Sequence, residues 1–432
     1  MKQVVTAVGG ERRSLRRERG DNMNGNQKRQ AVIFIPGVGG AMESAKTVAQ
    51  RIAAELRRIS TSVPEPVFSV SAEKTVGFGD GQTAKMATVS VREGGTDDIA
   101  VMDVYFFDYQ EVLTKREKSA NILWKLALLT WTFVVTLGYF ARASNPLSRT
   151  EGLGRKDQAQ LAIGLLVLGV IGISVCASFY LILEGAALQF GAKEAAGTSM
   201  IPPKLLSLGS AALAILAAVG ISSSSIGSWF TGLAERTAAS VRYLTIGDGR
   251  GAVTGPLEDL IDHVAHGDYD QRHIFAYSFG CIVALDALFT RGGRSGHHFS
   301  AVTSLATIGC PFDVVRHYLP EYFRERRPAA SDAQRWINIY SPADVFGSNF
   351  RNDGELGEAS VGIGSGSVPE NIAYVDAVAP EKFSWINILF FIGLRAHGMY
   401  WEKEPCSETS VFRPLLEALM NRREPAPVAE RV

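Results

Sequence analysis

Ala31-Val-Ile-Phe-Ile35 is an uninterrupted apolar run that stops at Pro36-Gly-Val-Gly-Gly40. Such a run predicts a strand buried on both faces and ended by a turn. A helix-period stretch follows from Glu43 to Ile59, then β-rich runs at Val67–Val70, Ala87–Val91 and Ile99–Phe107. The second of these alternates apolar and polar positions, as a half-exposed strand does. Further along, Pro256–His266 predicts a helix with proline in its first turn and Leu257, Leu260, Ile261 and Val264 on one face. His273–Tyr277 predicts a strand, Phe279–Phe289 a helix, and Ala301–Ile308 and Trp336–Tyr340 two more buried strands. Strand and helix alternating in this way predict an α/β fold: a mostly parallel sheet flanked by helices on both faces.

The middle of the chain has a different texture. Uncharged apolar runs occupy 126–141, 161–183 and 205–234. A membrane-crossing helix needs about 20 apolar residues, so the second and third runs are long enough and the first is short. Residues 122–233 are therefore expected to form a membrane insertion that interrupts the α/β domain. The strands ending at Ile35 and Tyr277 must share one sheet, so the insertion should cross the bilayer an even number of times. Pairing the second and third runs carries fewer unbalanced basic residues across, which favours anchoring helices near 161–183 and 205–227. The first run, with Trp124, Lys125 and Trp131, would then lie at the interface or over the site as a lid. These expectations describe an integral membrane protein whose α/β domain is cytoplasmic and whose partner is the lipid bilayer.

Composition agrees with that division. The 432 residues include 44 Lys plus Arg and 44 Asp plus Glu, with 46% hydrophobic and only 20% charged residues. Such a balance disfavours both a disordered chain and a nucleic-acid binder. Residues 1–30 hold eight basic against three acidic side chains and no apolar core, which reads as a basic disordered segment able to rest on anionic headgroups. The expected layout is that leader, a first half-domain at 31–121, the insertion at 122–233, a second half-domain at 234–420 and a tail at 421–432. Cys176, Cys281, Cys310 and Cys406 lie far apart without metal-ligand spacing, which argues against a zinc module and a disulfide scaffold.

The stretch that carries candidate chemistry is His273-Ile-Phe-Ala-Tyr-Ser-Phe-Gly-Cys281. Ser278 falls between a predicted buried strand and an apolar helix, with small residues at Ala276 and Gly280 where bulk would strike neighbouring backbone. That is the setting of a strained nucleophile elbow. Here the sequence resembles the α/β-hydrolase superfamily, in particular its lipase-like serine esterases, with Ala276-Tyr-Ser-Phe-Gly280 in place of the usual Gly-x-Ser-x-Gly. Pro36-Gly-Val-Gly-Gly40 is similar to the family's oxyanion-hole loop, although many relatives have histidine where this chain has Pro36. The resemblance makes the backbone N–H groups of Val38 and Phe279 the oxyanion donors, with Gly37, Gly39 and Gly40 giving close backbone approach. A phosphate cradle is the competing reading of those glycines, but no Gly-Lys-Ser/Thr follows.

The family order is serine, acid, histidine. Asp344, just after a predicted strand in Trp336-Ile-Asn-Ile-Tyr-Ser-Pro-Ala-Asp344, is the favoured acid. Asp313 is the rival, with helix capping as its other role. His397, in Leu394-Arg-Ala-His-Gly398, resembles the family's histidine loop, whereas His263, His266, His273, His297, His298 and His317 fall on or beside predicted helices and strands. The resemblance implies a catalytic Ser278, His397 and Asp344 acting through an acyl-enzyme on a carboxylic ester, a lipid or other acylated substrate. It implies no metal and no cofactor. A thioesterase, an acyltransferase and a catalytically silent interaction module remain alternatives, and the sequence leaves the oligomeric state open.

Overall fold

In the computed structural model the described residues are 29–38, 44–60, 66–92, 98–119, 130–138, 141, 235–236, 238–247, 249–289, 300–324, 326, 335–351, 356–364, 367–374, 396–400 and 410–420. In chain order the named elements are β1 (Gln30–Ile35), α1 (Ala45–Ile59), β2 (Val67–Val70), β3 (Lys74–Phe78), β4 (Gln82–Arg92), β5 (Ile99–Phe106), α2 (Gln110–Ser119), α3 (Arg250–Ala265), β6 (Gln271–Tyr277), α4 (Phe279–Leu288), β7 (Ser304–Ile308), α5 (Phe312–Tyr318), β8 (Arg335–Tyr340), β9 (Glu370–Ala373) and α6 (Phe412–Met420).

Among the described residues the strands form one nine-stranded sheet in the order β2-β4-β5-β1-β6-β7-β8-β9, with β3 paired to β4 as well. From β5 through β9 every neighbour is parallel. The other edge is antiparallel, where the long β4 pairs with β5, β2 and β3. β1 lies between β5 and β6, and its side chains explain why its sequence is an unbroken apolar run. Ala31, Ile33 and Ile35 enter a core shared with α3 and α4. Val32 and Phe34 enter the opposite core, with α1 and α6. The alternation of a strand thus delivers apolar groups to two helical layers at once, as the buried strands of an α/β sheet require.

Local signals explain most element ends. Ser44 caps α1, its hydroxyl accepting from the N–H of Thr47 at 3.1 Å. Other ends depart from expectation. α3 begins at Arg250, so Pro256 lies inside the helix instead of in its first turn. β3 and β9 are additional strands. β3 and β4 are joined through Gly79-Asp80-Gly81, whose two glycines take positive φ.

The expected membrane insertion requires correction. Among the described residues no helix is long and apolar enough to cross a membrane, so neither an integral membrane protein nor a fold interrupted by membrane helices is supported, and the inferred cytoplasmic side goes with them. The stretches 161–183 and 205–227 lie outside the described residues. Within the first run, residues 130–138 are helical. The basic segment expected at 1–30 lies outside the described residues except for Arg29 and Gln30, as does the tail at 421–432.

A buried carboxylate fixes the start of the central strand. Asp103 in β5, alongside Ala31, accepts hydrogen bonds from Thr88 Oγ1 at 2.7 Å and Tyr269 Oη at 2.6 Å, and pairs with Arg29 at 2.6 Å. Burial, then the Asp103 hydrogen bond, drives the Tyr269 phenol well above its ordinary pKa and keeps it a donor. Asp103→Ala would leave the Tyr269 and Thr88 hydroxyls without this acceptor. It is expected to cost about 2–4 kcal/mol of stability, read as a lowered urea midpoint with an unchanged m-value.

Candidate active site

The end of β6 and the start of α4 set the site. Ser278 stands between them at φ 53° and ψ −126°, a left-handed conformation unusual for a residue with a Cβ. Its N–H donates to the Ile308 carbonyl and its own carbonyl accepts from Cys281 N–H, both at 2.9 Å, so neighbouring backbone holds the turn. Two glycines make the turn possible. A Cβ on Gly280 would lie 2.5 Å from the Pro36 oxygen and 2.6 Å from the Ile35 oxygen, so only glycine lets α4 start against the end of β1. A Cβ on Gly37 would lie 2.7 Å from the Ser278 Cβ. Ala276, fully buried, is in register with Ile35 on one side and Thr307 on the other, which explains its small side chain.

The other two groups come from distant parts of the chain. His397 Nε2 lies 2.7 Å from Ser278 Oγ, and His397 Nδ1 lies 3.1 and 3.0 Å from Asp344 Oδ1 and Oδ2. Asp344 follows β8 and is fully buried. Phe346 N–H donates to its Oδ1 at 2.9 Å, and Tyr400 Oη donates to its Oδ2 at 2.9 Å. A desolvated carboxylate with this many donors remains ionised more readily than an unpartnered one. The imidazole is clasped by aromatic rings: Tyr277 stacks on it at 5.4 Å, and Phe346 meets it edge-on at 5.1 Å. The Tyr277 hydroxyl also donates to the His397 carbonyl, which ties the histidine loop to the end of β6.

Phe279 follows the serine directly, and Val38 follows Gly37, the residue that approaches the Ser278 Cβ. Phe279 is the first residue of α4, so its N–H has no acceptor within the helix. Its ring stacks with Tyr109 at 6.5 Å and meets Tyr243 edge-on at 5.5 Å. Val38 packs against the same core, and the preceding Gly37 carbonyl accepts from Gln110 Nε2 at 2.8 Å, which joins the loop to α2. Gly39 and Gly40 lie outside the described residues.

Asp313 is placed elsewhere. It occupies the first turn of α5, 3.6 Å from Arg316, while Asp344 holds the position beside the imidazole. His263 packs with Phe78 and Tyr105, His266 caps α3 through the Asp262 carbonyl, and His273 Nδ1 meets Ser304 Oγ at 2.7 Å. His317 lies on α5 against Tyr318, and His297 and His298 lie outside the described residues. Among the described residues no group of three or more His, Cys, Asp or Glu could hold a metal ion.

Sequence reasoning did not single out Tyr277, Tyr400, Phe346, Gly309 and Gly347. Gly309 had a signal, since it directly follows the buried strand β7, whereas Gly347 lies farther along the turn after β8. Their task is visible only in space. A Cβ on Gly347 would sit 2.5 Å from Asp344 Oδ2, and one on Gly309, whose φ is +55°, would sit 2.8 Å from the Tyr400 ring. Chemically, a hydroxyl within reach of an imidazole that a buried carboxylate orients can lose its proton as it attacks an electrophile.

No family model matches the chain, and no curated protein does.

The close packing at the turn gives a stability test. Gly280→Ala is expected to cost about 1–3 kcal/mol, because the clash is with backbone. Gly251→Ala, in a part of α3 with open space around the position, is expected to be neutral or to stabilise by up to about 1 kcal/mol. Urea midpoints of the two variants check the contrast.

Proposed function

We propose that this protein is a serine hydrolase of the α/β-hydrolase type that cleaves a carboxylic ester through an acyl-enzyme. The supporting observation is the continuous hydrogen-bonded line from Ser278 Oγ through the His397 ring to the buried Asp344 carboxylate. Further support comes from the left-handed turn at Ser278 and from the parallel sheet, at whose carboxyl ends the three residues gather.

His397 Nε2 takes the Ser278 proton as Oγ bonds to the ester carbonyl carbon. The carbonyl oxygen becomes an oxyanion, received by the backbone N–H groups of Val38 and Phe279. Collapse of this intermediate breaks the bond to the leaving alkoxide, which receives the proton from His397. Water then gives a proton to His397 and attacks the acyl-enzyme carbonyl. The second collapse releases the carboxylic acid and returns the proton to Ser278. Asp344 holds the imidazole in the tautomer with hydrogen on Nδ1 and stabilises the imidazolium formed in each half.

A fluorophosphonate probe is expected to label the full-length protein at Ser278 and to leave Ser278→Ala unlabelled. With short p-nitrophenyl esters, Ser278→Ala and His397→Ala should each lower kcat by about 10³-fold or more, and the double variant should be little worse than either. Asp344→Asn should cost about 10²-fold or more through loss of tautomer control, and Asp313→Asn less than about threefold. A folded protein that neither labels nor turns over any ester would instead be a binding module.

A further inference from the structure

We infer that Tyr400 is a positioning residue for the Ser278, His397 and Asp344 line, its phenolic proton committed to Asp344 so that the carboxylate is fixed in rotation and weakened as a proton acceptor. The inference rests on the serine-hydrolase reading and extends it to a residue that acts through another.

The direction of the tyrosine proton follows from its two partners. Ser341 N–H points at Tyr400 Oη at 2.7 Å, and a backbone N–H can only donate. That contact fills a lone pair of the phenol oxygen and leaves the O–H to face Asp344 Oδ2 at 2.9 Å. Tyr400 is buried; burial first and the Asp344 charge second raise its pKa well above the ordinary phenol value, so the proton stays in place. The same Oδ2 lies 3.0 Å from His397 Nδ1. The tyrosine and the imidazole therefore draw on one oxygen, and each donor lowers what that oxygen offers the other.

Packing around the pair is specific to it. The Tyr400 ring stacks on Tyr374 at 5.8 Å and meets Tyr277 and His397 edge-on at 6.1 and 6.4 Å. On the opposite side a Cβ on Gly347 would lie 2.9 Å from Tyr400 Oη as well as 2.5 Å from Asp344 Oδ2. The titratable groups facing His397 and Asp344 include Tyr277 at the end of β6, Ser278 and Tyr400, while Asp313 on the α5 side is ion-paired with Arg316. A second hydrogen bond to the carboxylate favours its charged form and reduces its pull on a proton at Nδ1. The consequence is a carboxylate that orients the His397 ring while stabilising an imidazolium less than it would without the tyrosine.

The test removes only the hydroxyl. In full-length Tyr400→Phe, kcat for a p-nitrophenyl ester should fall about three- to tenfold with KM within about twofold, and the acid limb of the kcat/KM profile should move up by about half a unit to one unit. Site-specific 3-fluorotyrosine at Tyr400, a more acidic phenol and a stronger donor, should move the limb down. Tyr374→Leu, which removes the stacked ring and leaves the hydroxyl contact, should lower stability without moving the limb. The His397 imidazole titration, followed by NMR in ¹⁵N-histidine-labelled protein and assigned with His397→Gln, should follow the direction of the limb in each of these proteins and needs no turnover. Coincident titrations in wild type, Tyr400→Phe and the fluorotyrosine protein would overturn the inference. NMR titrations that shift in Tyr400→Phe and the fluorotyrosine protein, alongside a wild-type protein that fails to label with fluorophosphonate, would retain the Tyr400 assignment and overturn the hydrolase reading.

Discussion

The constraint on which the candidate site depends is the contact between the end of β1 and the beginning of α4. The carbonyls of Ile35 and Pro36 press against the position where Gly280 has no side chain. That approach forces the chain leaving β6 to turn within one residue, and Ser278 takes up the turn in a left-handed conformation that costs of order 1–3 kcal/mol. The cost is offset by what surrounds it. β6 is hydrogen-bonded on both sides, and α4 is buried along its whole length. A turn held this firmly presents one hydroxyl in one direction, and the histidine loop needs only to reach it.

A second constraint is electrostatic. Asp344 is a fully buried charge, costly unless donors surround it. Those donors arise from three kinds of structure: the Phe346 N–H in its own turn, the Tyr400 hydroxyl, and the imidazole of His397. The space they occupy is kept clear by Gly309 and Gly347. The site is thus defined as much by missing side chains as by present ones.

Ser278, Asp344 and His397 were legible because each lies in a short local pattern: a small-residue elbow, an acid after a strand, a histidine beside glycine. The apolar run at residues 31–35 announced its own burial for the same reason. What joins these segments was not legible. Tyr277 and Tyr400 are ordinary aromatics in sequence, and only the fold brings one ring flat against the imidazole and the other hydroxyl to the carboxylate. The hairpin at Gly79-Asp80-Gly81 carried a turn signal, but Thr75 to Gly77 is too weakly apolar to announce a strand. Hydropathy raised an expectation of membrane-crossing helices that the described residues do not carry, since counting apolar residues does not report which way a helix faces. In the helical residues 130–138, Thr132 is buried while Trp131, Val134 and Leu137 are exposed.

The placement of β1 also has a bearing on biosynthesis. Its register partner in β6 runs from Gln271, 241 positions after Gln30. At roughly 5–20 residues per second, a ribosome takes on the order of ten to fifty seconds to make the intervening chain. During that interval β5 can cover one edge of β1, but the other edge and its apolar side chains wait unpaired, an open template for strands of other molecules. The central strand of the finished sheet is therefore the most aggregation-exposed segment of the nascent one, and chaperone demand during synthesis should centre on it.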